Sequence, residues 1–279
     1  YLSANNAGLF LPTSIKSYLD GRMGQLEERL SSIAFRQAVE QDMVRIDPMT
    51  AIPRWEERTV LQENHMKLFL NGVPEETLVC TPTELSALVL GHLYTEGRIA
   101  GVEDVCSIAV SAEGTQAEAV TRGPANLSAP LAADGAEKAL RRRGDFRWEP
   151  RWIYALGRAF HAGAPLYRAT HGIHSCFLMQ DGEILYCCED IGRHNALDKA
   201  VGRALMDGVD LRRCVLFSSG RIPADMMEKA IRAGVPLLAS NAVPTDRAVA
   251  LARAYRVVLI CTARSDSMNI FADKYLWGT

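Results

Sequence analysis

The chain has 279 residues, enough for one large domain or two modest ones, each with its own core. Its 48% hydrophobic and 23% charged residues are ordinary for a globular protein, and a net charge of −2 argues against broad electrostatic binding to nucleic acid or a membrane surface. Seven cysteines without paired spacing suit reduced thiols rather than a disulfide framework, and no apolar run reaches the roughly 18 residues a membrane helix needs, so a cytoplasmic protein is expected.

Residues 1–50 read as an N-terminal helical extension, with Leu26, Leu30, Ile33, Ala34 and Ala38 set between charges along 20–39. Residues 51–148 read as a smaller α+β domain with a linker. Within it, 66–70 and 77–80 alternate around Asn71-Gly72, a strong hairpin signal. Thr81 reads as a helix cap, Pro82 fits the first helical position, and Glu84 completes a capping box, so a helix is expected to run to Thr95. His92 and Glu96 stand four apart and read as an ordinary polar pair before a metal site. Strands are expected over 105–110 and 116–120. The stretch 121–147 lacks periodicity and holds Gly123, Pro124, Pro130 and Gly135, which makes it the expected linker. Its Arg141-Arg142-Arg143 run is a solvated segment or a steering patch for an acidic partner.

Residues 149–279 form the second expected domain, opening with a helix over 151–161. Two apolar runs, 173–179 and 183–188, flank Asp181-Gly182 and read as another hairpin. Glu189, Asp190, Arg193, His194, Asn195, Asp198 and Lys199 then fall within eleven residues. The helix that follows has an apolar face of Ala196, Leu197, Ala200, Val201, Ala204 and Leu205, with Gly208 as its stop. The polar group therefore sits on a strand-to-helix turn, where unpaired N–H groups and the helix dipole favour an anion. Two further strand–turn–helix units follow: strand 214–217 with the turn 218–221, and strand 235–240 with the turn 241–246. Another strand, 256–261, and an extended piece, 268–271, close the chain. This alternation predicts an α/β layer with a largely parallel sheet.

With parallel strands, the turns at 189–195, 218–225 and 241–246 share one rim, where open α/β sheets hold their ligand. Arg193, Lys199, Arg221, Ser219, Asn195 and Thr245 suit phosphate oxygens, so a nucleotide or dinucleotide-like ligand is expected, although neither a Gly-x-Gly-x-x-Gly nor a Walker loop is present. Other readings stand beside this one. Asp190 and Asp198 could pair with Arg193 and Lys199, and His194 could be a buried histidine rather than a ligand contact. His171 and His174 need not face each other. Ser219 lacks a nucleophile elbow. Cys187 and Cys188 should point to opposite strand faces, and Cys176, Cys214 and Cys261 should be buried and inert.

At these residues the chain resembles the FdhD/NarQ family of formate dehydrogenase accessory proteins. The likeness rests on Thr170-His-Gly-Ile-His174, the run from Glu189 through Asp190, Ile191, Gly192, Arg193, His194, Asn195, Ala196, Leu197 and Asp198 to Lys199, Ser219-Gly220-Arg221, Pro244-Thr245, and Arg264 with Asn269-Ile270. Upstream, Asn71-Gly72, Thr81-Pro82 and Thr95-Glu96-Gly97 also match, so the likeness spans about residues 55–271. It implies a cytidine-deaminase-like three-layer α/β domain with a smaller N-terminal α+β domain. It also implies binding of the guanine-dinucleotide form of the molybdenum cofactor, a GDP-like ligand, and sulfur delivery to it from a cysteine desulfurase. Implied partners are the formate dehydrogenase apoenzyme and the desulfurase; a homodimer is left open by the sequence. Arg193, Lys199 and Arg221 are then expected on phosphate and His174, His194, Asn195, Ser219 and Thr245 on ligand orientation, with Thr170, Asp190 and Asp198 completing the cofactor site; no metal ligand is expected.

One departure stands out. The family carries a Cys-x-x-Cys on the loop before the Thr-x-Gly-x-His piece, whereas no cysteine lies between Cys106 and Cys176 here. Sulfur relay needs an accessible thiolate. Two readings therefore remain open, a factor that supports sulfuration and a non-catalytic cofactor carrier, with an unrelated nucleotide-binding regulator as a third. Zinc-deaminase chemistry is not expected, since neither its His-x-Glu nor its Pro-Cys-x-x-Cys motif occurs.

Overall fold

The computed structural model describes residues 37–123 and 146–273. It opens with β1 (Ala38–Ile46) and β2 (Pro53–Leu61), paired antiparallel over their full length from Ala38 with Leu61 to Ile46 with Pro53. This hairpin crosses the expected boundary at residue 50, so 38–50 is not part of a helical extension. β-branched residues alternating with charges favour the strand pairing over a helix there. The rest of the expected helix, and the linker over 124–145, lie outside the described residues. One face of the arm leaves Val44, Ile46 and Trp55 exposed, the last by 79%.

The smaller domain is a four-stranded sheet in the order β4-β3-β6-β5, built from β3 (Asn64–Leu70), β4 (Val73–Cys80), β5 (Val105–Val110) and β6 (Gln116–Thr121). Asn71 and Gly72 join β3 to β4 with φ of 53° and 77°, the double positive that a two-residue hairpin turn requires. Helix α1 (Leu85–Thr95) packs on this sheet and is buried on nearly every side, as an all-round apolar helix must be. Its expected capping box does not form. Glu84 takes the cap position with φ 50° and bonds Arg203 instead, while the Thr81 hydroxyl accepts the Ile191 N–H from the other domain.

The larger domain follows with α2 (Pro150–Ala162), the short α3 (Pro165–Thr170), β7 (His174–Gln180), β8 (Glu183–Asp190), α4 (Arg193–Met206), β9 (Cys214–Ser218), α5 (Ala224–Arg232), β10 (Leu237–Ser240), α6 (Asp246–Ala254), β11 (Val258–Cys261) and β12 (Asn269–Ala272). The six strands lie in the order β12-β11-β10-β9-β7-β8. Strand residues alternate between two cores. Cys176, Leu178, Leu216, Leu238 and Leu259 face α4, α5 and α6, and Phe177, Val215, Phe217, Leu237 and Ile260 face Ile153 and Leu156 of α2. Three layers result, as expected. The sheet is mixed rather than largely parallel: β9, β10 and β11 are parallel, but β7 runs against β9 and against β8, and β12 against β11. The tight Asp181-Gly182 turn leaves β8 no choice but to run back along β7. Reversing twice gives β8 the direction of β9, so their C-terminal ends still share one rim.

The two domains are held together by α1 against α4, the broadest contact between any two elements. Gly91 and Gly202 permit it: a methyl at Gly91 would run into the Asp198 carbonyl, and one at Gly202 into the Ala87 carbonyl. Beside this crossing lie two buried charge clusters. Asp198 accepts from Lys229 Nζ at 2.8 Å and Thr95 Oγ1 at 2.7 Å, and lies 3.2 Å from His92 Nδ1, whose Nε2 is 2.7 Å from Glu76. Lys229 also reaches Glu96 at 2.7 Å, so His92 and Glu96 belong to one network without pairing with each other. In the second cluster Lys199 Nζ is 2.6 Å from Asp190 and bonds the Thr81 and Glu189 carbonyls. Every charge in both clusters is matched, which is what makes burying them tolerable.

Burial works against the charged form of His92, but Asp198 and Glu76 outweigh it and raise its pKa to about 9. A histidine with a raised folded-state pKa adds stability in full below its ordinary value near 6.5, and that stability is lost as pH rises through about 9. The urea-unfolding midpoint should therefore fall between pH 7 and 9.5, and His92→Gln should flatten that slope; an equal slope in both proteins would remove His92 from the linkage. Gly202→Ala, which would gain up to about 1 kcal/mol in an exposed helix, should instead lose about 2 kcal/mol or more here through overpacking. An unchanged or raised unfolding midpoint would mean the helices are not locked by the glycine contact.

Candidate functional site

The rim collects the C-terminal ends of β8, β9, β10 and β11 and the start of β7, where His174 pairs with Asp190 and Cys176 with Ser218. Its turns are bonded to one another. The Ser219 N–H donates to the Ser175 carbonyl, Asn241 N–H to the Ser218 carbonyl, and the Ser240 hydroxyl to the Gly220 carbonyl. Ile222 bridges to Pro244, with Thr245 N–H on the Ile222 carbonyl. The three turns expected to converge from the sequence do converge.

Four side chains meet around the middle turn. Ser219 Oγ accepts the Ser175 N–H at 3.0 Å and lies 3.0 Å from His174 Nδ1. The Ser219–His174 hydrogen bond runs in either direction according to the ring's tautomer, because the hydroxyl keeps both its proton and a second lone pair. Burial lowers the His174 pKa, and the Arg193 charge lowers it further, so the ring is neutral at neutral pH. Arg193, at the first position of α4, runs its stem across Gly220, where a Cβ would stand 2.8 Å from Arg193 Cδ. Only glycine at 220 admits that stem. His194 Nε2 lies 3.0 Å from Asp225 Oδ2, an ion-pair distance at an angle that makes no hydrogen bond. Arg221 is exposed, and Thr245 caps α6 by accepting the Ala248 N–H at 3.3 Å.

The remaining expected site residues lie elsewhere. Asp190, Asn195, Asp198 and Lys199 are buried at the domain junction, with Asn195 Nδ2 donating to the Val79 carbonyl and to Asp190. Lys199 is fully buried and its ammonium is saturated by Asp190 and three oxygens. It is therefore not available to a phosphate. Asp190 pairs with Lys199 and Asp198 with Lys229, while Arg193 takes neither carboxylate. Helical spacing explains the split: 195, 198, 199 and 202 share the face turned to α1, and Arg193 and His194 precede it at the rim. Thr170 donates to the Leu166 carbonyl within α3. Lys229, Asp225 and Asn241 had no sequence signal beyond their place at strand ends or on an amphipathic helix.

The cysteines are free. Burial pushes the Cys80 thiol up to about 11 and Cys214 and Cys261 to about 12, and drives Cys176 and Cys188 upward as well. Cys187 is the exposed neighbour of buried Cys188, as strand alternation requires, yet its shielded thiol, with Glu189 and Glu84 nearby, is still raised to about 12. Cys106, half-buried on β5, completes the set.

Comparisons with known proteins agree with this architecture. The chain matches the model of the FdhD/NarQ family over residues 61–275. It is 30% identical over 222 residues to the sulfur carrier protein FdhD of Methanothermobacter thermautotrophicus, covering 76% of this chain and 89% of that one. It is 32% identical over 216 residues to the FdhD protein of Thermoplasma acidophilum, covering 69% and 75%. A crystal structure described as a putative formate dehydrogenase accessory protein from Desulfotalea psychrophila superposes with a TM-score of 0.72 at 25% identity, over 86% of this chain and 99% of that one. The match takes in both domains and the junction between them, and on that extent the chain belongs to the FdhD/NarQ family.

Proposed function

We propose that this protein is an accessory factor for formate dehydrogenase maturation whose rim binds the guanine-dinucleotide form of the molybdenum cofactor. The observation that carries the reading is Arg193. Its guanidinium is led to the rim over Gly220, and its Nε is buried with no hydrogen-bond partner among the described residues. A buried donor left unmet costs about 1–3 kcal/mol, and an anionic oxygen is the partner that would offset it. Arg221 and the first turn of α4 add donors of the kind that suit a diphosphate. The bound group would supply the pterin and metal chemistry; the chain's own residues would bind and orient it. The strand order β8-β7-β9-β10-β11, with β7 reversed, supports the cytidine-deaminase-like reading of the layer.

Related proteins are named sulfur carriers, and a persulfide route from a cysteine desulfurase is the second reading. The raised thiols and the absence of cysteine between 106 and 176 favour a carrier that presents the cofactor without holding sulfur itself. Incubation with a cysteine desulfurase and cysteine, followed by persulfide labelling, should leave the cysteines unlabelled. Stoichiometric label on Cys106 or Cys187 would establish the sulfur-carrying reading instead.

GDP should raise the melting temperature more than ADP at equal concentration, approaching about 2.7 kcal/mol of stabilisation at 100 times its dissociation constant. Arg221→Glu should weaken that shift without lowering the melting temperature of the free protein, because the side chain is exposed. Equal shifts with GDP and ADP would overturn the guanine assignment, and an unchanged GDP shift in Arg221→Glu would take Arg221 out of the site.

A further inference from the structure

Asn241 immediately follows β10, and its backbone is held on both sides. Its N–H donates to the Ser218 carbonyl, and its carbonyl accepts from Arg264 Nη1 at 2.8 Å. The neighbouring polar groups are satisfied too: Ser240 Oγ accepts the Ala242 N–H, and the Ala242 carbonyl accepts the Thr262 N–H. Against this background Asn241 Oδ1 is buried with no hydrogen-bond partner among the described residues. A buried acceptor kept unmet beside a saturated backbone points to a donor that arrives with a ligand. Arg193 Nε, across the Ser219-Gly220 turn, is an unmet donor on the same rim. One end of the rim thus awaits an acceptor and the other a donor.

Resting on the proposed nucleotide reading, we propose that Asn241 reads the base: Oδ1 accepts a hydrogen bond from the N–H groups on the Watson–Crick edge of guanine, while Arg193 meets phosphate. Guanine turns two adjacent donors, N1–H and the 2-amino group, to that edge. Adenine placed the same way turns an acceptor at N1 toward Oδ1, and its single Watson–Crick donor, the 6-amino group, lies on the far side of that acceptor, so it offers one hydrogen bond at most where guanine offers two. A single carboxamide oxygen at this position therefore favours guanine over adenine by hydrogen-bond polarity rather than by size.

Titration calorimetry of the full-length protein with GDP and with ADP tests the assignment. Asn241→Leu, nearly the same size but without an acceptor, should lose roughly tenfold or more in GDP affinity and leave ADP affinity within about twofold. Asn241→Asp, which keeps the acceptor, should retain the preference for GDP over ADP. A native preference for GDP that survives intact in Asn241→Leu would overturn the assignment while leaving the nucleotide site standing. A native protein that does not distinguish GDP from ADP would overturn both. Matched melting temperatures of the free variants and native protein separate loss of recognition from loss of fold.

Discussion

The close crossing of α1 over α4 is the constraint on which the rest of the molecule depends. Two glycines bring the helix backbones into contact, and at that separation any charge between them is removed from water. Asp198, Lys229 and His92 on one side, and Asp190 with Lys199 on the other, are tolerated there because each has an opposite charge and hydrogen bonds in place. The junction is thus highly specific. Small residues set the distance, and the His92–Asp198 and Lys229–Glu96 pairs cross it. The small domain becomes a buttress for the first turns of α4 rather than an appended module.

That buttress matters for the rim because α4 carries both sets of residues. Its inward face is spent on the junction, and its N-terminus places Arg193 and His194 at the rim. Asp190 links the two roles. It receives the Lys199 charge from below and holds Gly192 N–H and the Asn195 amide above, so the turn leading into α4 is set by the same carboxylate that anchors the domains. Arg193 then needs no ion pair of its own to be positioned, since its stem is confined over Gly220. An arginine positioned by packing keeps its hydrogen-bonding capacity for a ligand.

The electrostatics of the rim and of the cysteines point in opposite directions. Around Ser219 the groups suit an anion: a guanidinium led over Gly220 and a helix start. The thiols sit instead in strands whose burial penalises the thiolate. A molecule built this way is suited to holding an anionic ligand and poorly suited to keeping a nucleophilic sulfur on these cysteines.

Much of the architecture was legible in the residues. Asn71-Gly72 and Asp181-Gly182 marked both hairpins because only left-handed backbone closes such turns, and the structure has all four residues at positive φ. The alternation of apolar runs with amphipathic segments marked the layer and its rim. Tertiary structure decided the rest. Periodicity put Asn195, Asp198 and Lys199 on one helical face, but what lies opposite that face is set by a domain more than a hundred positions away, so charges that resembled a phosphate cradle turned out to be a brace. The same long-range contact claimed Thr81 and Glu84 and left their capping box unformed. Local chemistry determined the elements and their turns, while the choice of partner for each charge waited on packing, because a charge is read by whatever surrounds it once water has been excluded.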